Sequence, residues 1–260
     1  MRPLEPAAPV DYVAIGDSFT EGVGDWYPDG TARGWADRFA GHLADQGREV
    51  RYANLAVRGK LLRQVMRDQL PAAVGLRPTL VSFSAGGNDL LRPSGNPDLL
   101  AAVLEEGVRR LREAGAEVVL FTGVNVSRGY MSGLVGRFAR YYLNIRSIAD
   151  RHDCHLVDQW SMPVLSAASV WDTDRLHMSS EGHRRLALRV AEVVGVPTER
   201  CWDEPLPEVQ PVEWRVARRA DARWAREFLV PWVGRRLTGR SSGDTLDAKR
   251  PDLEKFLPGG

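Results

Sequence analysis

The chain has 260 residues, and 35 Lys and Arg against 34 Asp and Glu give it a formal net charge of +1. This balance argues against a nucleic-acid-binding protein, and the 43% of hydrophobic residues excludes a disordered chain. No apolar run approaches the roughly 18 residues that cross a bilayer, which excludes a transmembrane protein. The first residues carry no apolar signal segment, so we expect a cytoplasmic location.

Short β-rich segments alternate with segments long enough for a helix. The strands are predicted at Val10–Gly16, Glu49–Asn54, Thr79–Ala85, Ala116–Thr122 and Cys154–Asp158. The helices are predicted at Trp35–Gln46, Leu61–Val74, Pro97–Ala114, Leu134–Arg151 and Ser180–Val194. Such alternation is typical of a parallel sheet covered on both faces. Right-handed crossovers then predict an α/β, doubly wound, flavodoxin-like sheet with its site beyond the carboxyl ends of the strands.

The sequence changes character after Pro197. Between residues 213 and 240 there are eight Arg and three acidic residues, and four of the eight Trp follow residue 200. Apolar residues recur there at every fourth position: Val212, Val216, Ala220, Trp224 and Phe228. This spacing predicts an amphipathic helix with Arg on its other face. We therefore predict a domain at 1–197, a Trp/Arg-rich helical extension at 198–238 and a polar, flexible tail at 239–260.

The apolar stripe of the extension has to be covered by something. We expect it to dock on the 1–197 domain, and a lid over the active site is one form of such docking. Contact with a membrane surface or with a partner protein is the less favoured alternative, because Arg-rich helices with Trp and Phe opposite also bind interfaces.

Ser18 follows the first predicted strand directly, in the segment Gly-Asp-Ser-Phe-Thr-Glu-Gly at 16–22. A serine at the turn between a buried strand and a helix exposes its hydroxyl at the edge of the sheet, and its N–H faces a developing anion. A helix-capping role is the ordinary alternative for a serine at such a turn.

Three further segments follow later strands and favour catalysis. Gly59 ends the segment at 54–59, where its N–H can approach a ligand closely, and Asn88 places an amide at the turn after the third strand. Asp174 precedes His177 by three residues, so its carboxylate can hold Nδ1–H while Nε2 points outward. Asp172 competes as the orienting acid, and the spacing to His177 favours Asp174.

These four segments, in this order, resemble the SGNH hydrolases, the GDSL-type esterases and lipases, over about residues 10–195. The resemblance implies that Ser18 is the nucleophile, that His177 is the general base and then the general acid, and that Asp174 orients it. It implies an oxyanion hole made by the N–H groups of Ser18 and Gly59 and the side-chain amide of Asn88. The implied fold is a flavodoxin-like three-layer α/β/α sandwich, here with a five-stranded parallel sheet and the C-terminal helical extension.

Two positions depart from the family pattern. Phe19 replaces the leucine of the GDSL segment, which is an apolar exchange. Met178 stands where many members have proline after the catalytic histidine, which puts the local loop shape in doubt but not the chemistry.

The resemblance predicts a serine esterase that hydrolyses a carboxylic ester of a small or medium substrate through an acyl-enzyme intermediate. No cofactor, metal or nucleic-acid partner is expected. Alternatives on the same triad are a carbohydrate O-deacetylase, a thioesterase or lysophospholipase, and an acyltransferase. The non-enzymatic alternative is a binding module that acts through the Arg/Trp helix. The candidate substrate-lining residues are Asp17, Arg58, Asp89, Asn125, Arg128 and Tyr130. We expect His183 to be structural.

Overall fold

The computed structural model describes residues 8–127, 131–208, 213–231, 234 and 241–257. Its strands are β1 (Val10–Gly16), β2 (Val50–Asn54), β3 (Leu80–Ser84), β4 (Glu117–Thr122), β5 (His155–Asp158) and β6 (Arg250–Lys255). Its α-helices are α1 (Ser18–Glu21), α2 (Gly34–Asp45), α3 (Leu62–Gln64), α4 (Leu70–Gly75), α5 (Gly87–Leu90), α6 (Pro97–Glu113), α7 (Val135–Arg151), α8 (Ser180–Val194) and α9 (Trp214–Trp224). A π-helical turn at Val65–Gln69 joins α3 to α4, and another at Ala225–Leu229 follows α9.

The sheet has the strand order β5-β4-β3-β1-β2-β6, and β1 to β5 run parallel. One apolar layer packs α3, α4, α6 and α7 against one face, and a second packs α2 and α8 against the other. The predicted flavodoxin-like α/β/α sandwich is therefore confirmed, and the predicted strand and helix ends in the first 197 residues hold to within one residue. No helix in the described ranges is long and apolar enough to cross a membrane.

The prediction of five strands is wrong, because the tail supplies a sixth. Within the segment 239–260, for which we predicted a flexible chain, β6 pairs antiparallel with β2 at the edge of the sheet. Pro251 is compatible with this position, since an edge strand leaves one row of backbone groups unpaired. Phe256 follows β6, where its N–H donates to the Val50 carbonyl at 2.8 Å. The residues of β6 are mostly exposed, so the strand has no alternating apolar pattern by which a sequence would reveal it.

Lys249 anchors β6 from the residue before it. Its ammonium forms an ion pair with the fully buried carboxylate of Asp37 on α2 and donates to the Ala32 and Arg33 carbonyls at 2.8 and 2.7 Å. The Tyr52 hydroxyl donates to the same carboxylate at 3.1 Å. Burying a charge is costly unless it is paired and hydrogen-bonded. These contacts pair the buried charge of Asp37 with that of Lys249 and so hold the start of β6 on α2.

Replacing Lys249 with methionine should lower the free energy of unfolding by about 3 kcal/mol, because the carboxylate of Asp37 then loses its closest cation in a buried site. Denaturant titration at pH 7 measures the change. Lys255→Met, on the exposed part of β6, is the matched control and should stay within about 0.5 kcal/mol of the native chain. Adding Asp37→Asn to Lys249→Met should recover part of the loss. Equal midpoints for Lys249→Met and Lys255→Met would refute the anchoring role.

Candidate active site

Ser18 lies where β1 meets α1, at the carboxyl edge of the sheet. The buried Gln69 side chain binds both backbone groups of Gly16: it accepts the N–H at 2.8 Å and donates to the carbonyl at 2.9 Å. A Cβ on Gly16 would lie 2.3 Å from the Ser84 carbonyl, so this strand end requires glycine. Ser18 is the first residue of α1, and its N–H therefore has no acceptor inside the helix.

Asp174 and His177 form an acid–histidine pair on the loop before α8. Oδ2 of Asp174 lies 2.5 Å from Nδ1 of His177, and Oδ1 accepts the N–H groups of Leu176 and His177, both at 2.9 Å. Burial alone would raise the pKa of Asp174, but the hydrogen bonds and the charge of His177 lower it to about 2. The competing acid Asp172 instead accepts the N–H of Thr173 at 2.7 Å.

Gly59 lies on a loop that α1 holds in place. The buried Glu21 carboxylate accepts the backbone N–H of Arg58 at 2.6 Å and also binds the Arg58 guanidinium. Gly59 itself has φ +75°, and a Cβ there would lie 1.8 Å from Oγ of Ser241. The left-handed backbone and this close approach both require glycine.

The Asn88 amide is oriented by two acceptors. Nδ2 donates to Oδ2 of Asp17 and to the Lys60 carbonyl, both at 3.2 Å. Asp17 also caps α1, since its Oδ1 accepts the Phe19 N–H at 3.2 Å. One carboxylate therefore ties the Asn88 amide to the turn that carries Ser18.

A single cavity of about 380 Å³ joins these groups. It is lined by all five residues that the resemblance assigns to catalysis: Ser18, Gly59, Asn88, Asp174 and His177. This volume suits a small or medium ligand, since ligand pockets measure roughly 300–1,000 Å³. The structure therefore brings these five residues together around one cavity.

The six candidate substrate-lining residues do not form one surface of the cavity in the part of the chain that the structure describes. Arg58 lines the cavity, but its guanidinium is bound by Glu21. Asp17 and Asp89 are buried and bind groups of the protein itself: Asp17 accepts from the Phe19 N–H and the Asn88 amide, and Asp89 Oδ2 accepts the Leu62 N–H at 2.9 Å. Asn125 is exposed and accepts the Ser127 N–H at 2.9 Å. The remaining two, Arg128 and Tyr130, lie outside the described residues.

Much of the apolar lining was missed by the sequence-based interpretation. Beyond the catalytic groups, the cavity is lined by Leu91, Leu134 and Leu176 of the domain and by Trp224, Phe228 and Leu229 of the C-terminal extension. Ser241 and Ser242 of the tail lie on the Gly59 side. The four-residue spacing of Trp224 and Phe228 indicates a helix face, but nothing in the spacing says which surface that face covers.

His183 is held on both sides of its ring. Nδ1 accepts the Trp35 N–H at 3.1 Å, and Nε2 lies 3.1 Å from the Val23 carbonyl, to which it donates. Burial lowers the pKa of His183 to about 4, so the ring is neutral at pH 7. Among the described residues, no three His, Cys, Asp or Glu side chains cluster as a metal site.

Asp17 is a buried acid that titrates near physiological pH. Burial raises its pKa from 3.8 to about 6, although the Phe19 N–H and the charge of His177 act the other way. Since the folded chain holds this proton more tightly than the unfolded chain, the proton stabilises the fold below pH 4, and this stabilisation is lost as the pH rises through 6.

We therefore expect the free energy of unfolding of the native chain, relative to Asp17→Asn, to rise by about 2–3 kcal/mol when the pH falls from 7 to 4. Asparagine can still cap α1 but does not titrate, so the difference isolates the carboxyl group. Urea titrations at several pH values measure it, with Asp45→Asn at the exposed end of α2 as the control. A difference that does not change with pH would show that Asp17 titrates as in the unfolded chain.

A serine at a strand end, an acid–histidine pair and amide donors around one cavity, on a doubly wound sheet, define a serine hydrolase. The family model of the GDSL-like lipase/acylhydrolase family matches residues 14–185. The chain belongs to this family, that of the SGNH hydrolases, and it is a serine hydrolase acting on ester bonds.

Known relatives agree with this assignment. Esterase TesA of Pseudomonas aeruginosa is 27% identical over 183 residues, which are 70% of this chain and 86% of that protein. A crystal structure of TesA has a TM-score of 0.61 at 23% identity and covers 71% of this chain and 97% of that one. Axe2, an acetylxylan esterase from Geobacillus stearothermophilus, has a TM-score of 0.64 at 20% identity and covers 76% and 100%. At these identities the two structures show the shared fold.

Proposed function

We propose that Ser18, His177 and Asp174 hydrolyse a carboxylic ester of a small or medium substrate through an acyl-enzyme intermediate. The observation that carries this proposal is the 2.5 Å Asp174–His177 contact at a cavity that Ser18 also lines. A serine hydroxyl is a weak nucleophile until an adjacent base takes its proton, and a histidine held by a carboxylate is such a base.

The reaction then has two halves. Ser18 Oγ attacks the ester carbonyl while Nε2 of His177 takes its proton, and the N–H groups of Ser18 and Gly59 hold the oxyanion. The Asn88 amide joins them by exchanging its long bond to the Lys60 carbonyl for one to the oxyanion. His177 returns the proton to the leaving alcohol as the carbon–oxygen bond breaks, which leaves an acyl-Ser18 ester. Water, deprotonated by His177, then attacks this ester, and His177 returns the proton to Ser18 Oγ as the acyl carbon–oxygen bond breaks and the carboxylic acid leaves.

The lining of the cavity favours an ester with an apolar portion. Leucine, phenylalanine and tryptophan side chains surround the polar catalytic groups, whereas a carbohydrate needs many hydrogen-bonding partners. We therefore favour an esterase of apolar substrates over the carbohydrate O-deacetylase alternative.

Labelling with a fluorophosphonate tests the nucleophile, because this reagent phosphonylates a serine only where a base and oxyanion donors activate it. We expect one adduct, on the peptide that contains Ser18, together with loss of p-nitrophenyl butyrate hydrolysis. Ser18→Ala should take up no label, and Ser161→Ala, an exposed serine outside the cavity, should label like the native chain. An adduct on another serine, or none in a folded native chain, would refute the assignment.

A further inference from the structure

The C-terminal extension is bound to the loop that carries the acid and the base. The indole Nε1 of Trp224 donates to the Asp174 carbonyl at 2.8 Å. On the same loop, the Arg175 guanidinium forms an ion pair with Asp221 of α9 at 2.7 Å and lies 5.1 Å from the centre of the Trp224 ring. These contacts join the carboxyl end of α9 to the residues between Asp174 and His177.

The side chains that follow this contact line the cavity. Phe228 and Leu229 lie on the π-helical turn after α9 and, with Trp224, face the same space as Ser18 and His177. Val216, two turns before Trp224 on the same predicted stripe, is 51% exposed. Among the described residues of the extension, those whose apolar side chains line the cavity therefore lie between residues 224 and 229.

The chemistry of the reaction decides which part of the ester lies against these residues. His177 has to give its proton to the leaving oxygen, so the alcohol portion must extend on the side of the His177 loop. The carbonyl oxygen has to point toward Gly59 and Asn88, and on that side the tail presents the polar residues Ser241 and Ser242. The apolar part of the extension is bound to the His177 loop, on the leaving-group side.

We propose that Trp224, Phe228 and Leu229 form the subsite for the alcohol portion of the ester, and that this alcohol is apolar. The inference rests on the proposed function, since it takes Ser18 as the nucleophile and His177 as the acid. It makes the extension a determinant of specificity. Once the alcohol has left, these residues have no part in the hydrolysis of the acyl-enzyme.

Two ester series test the proposal on the full-length chain. One keeps the acetyl group and varies the alcohol from methyl to hexyl, and the other keeps methanol and varies the acid from acetic to hexanoic. The variants are Phe228→Ala, which opens the subsite, and Leu229→Trp, which fills it. Val216→Ala, an exposed position of the same helix, is the matched control. Released acid is titrated, and KM and kcat are obtained for each ester.

We expect both cavity variants to lower the ratio of kcat/KM for hexyl acetate to that for methyl acetate by about 10-fold, because a lost or blocked apolar contact in a pocket changes selectivity by about this factor or more. The ratio for methyl hexanoate to methyl acetate should change less than about twofold, and Val216→Ala should leave both ratios as in the native chain. A shift in the acyl series, or in neither series, would overturn the proposal. A native chain that hydrolyses none of these esters would instead contradict the proposed function.

Discussion

Replacing Ser18 with alanine should lower kcat for ester hydrolysis by about 10⁶-fold, the scale on which the loss of a triad nucleophile removes catalysis. Without Oγ there is no acyl-enzyme, so His177 and the oxyanion donors can act only on water attacking the ester directly. Residual catalysis of about 10³-fold over the uncatalysed reaction should remain from these donors and from binding. Hydrolysis of p-nitrophenyl butyrate, followed over hours at high enzyme concentration, measures both values.

The loss of kcat in a double variant shows whether Ser18 and His177 act as one catalytic unit or contribute independently. His177→Ala should cost about as much as Ser18→Ala, and the double variant should be no slower than either single variant, since each removes the same proton-transfer unit. Ser161→Ala is the matched serine control and should keep native rates, because its hydroxyl lies outside the cavity and donates to the Asp158 carbonyl at 3.0 Å. If the loss of kcat in the double variant instead equals the product of the two single losses, with unchanged melting curves, the two residues act separately.

The candidate site residues were proposed from four short segments and from the family that these segments resemble, and each segment comes after a strand whose local pattern is strong. Runs such as Val118–Phe121 are buried on both faces, which yields near-continuous apolar segments and reliable strand ends. In a parallel sheet all carboxyl ends meet at one edge, which brings the segments that carry Ser18 and Asn88 together. His177 lies far beyond the end of β5 and reaches the same cavity through its loop.

Adjacency along the chain did not predict which groups the neighbouring side chains bind. Arg58 and Asp89 are direct neighbours of the predicted oxyanion donors Gly59 and Asn88, yet the guanidinium of Arg58 binds Glu21 and Asp89 holds the start of α3. Side chains next to each other in a turn point in different directions. Which one reaches the ligand depends on partners from distant segments, such as Leu62 for Asp89.

The edge strand and the placement of the extension could not be predicted for a related reason. Lys249 and Asp37 are 212 residues apart, and no local periodicity connects an isolated lysine to a buried carboxylate. The helix of the extension was predictable from its stripe, and α9 with the following turn lies within the predicted segment 198–238. Its position depends on Trp224 meeting the Asp174 carbonyl, a contact that a hydrophobic pattern does not encode.

Replacing Asp174 with asparagine should lower kcat by about 10⁴-fold, because an amide at this position favours the wrong tautomer of His177 and cannot stabilise the imidazolium. With a pKa of about 2 in the folded chain, Asp174 stays ionised at pH 4 and above. Protonation of Asp174 therefore cannot produce a loss of activity between pH 4 and 7. Asp172→Asn, two residues earlier in the same loop, is the matched control and should keep native activity.

The carboxylate of Asp174 should also contribute to the free energy of unfolding. Since the pKa of Asp174 is lowered from 3.8 to about 2 in the folded chain, its stabilisation is complete above pH 4 and is lost as the pH falls through 2. We expect Asp174→Asn to unfold about 2 kcal/mol more easily than the native chain at pH 7, and the difference to shrink toward pH 2. Denaturant titrations at pH 7 and pH 3 measure this trend. A 10⁴-fold loss of activity in Asp172→Asn, with Asp174→Asn near native, would instead make Asp172 the acid that orients His177.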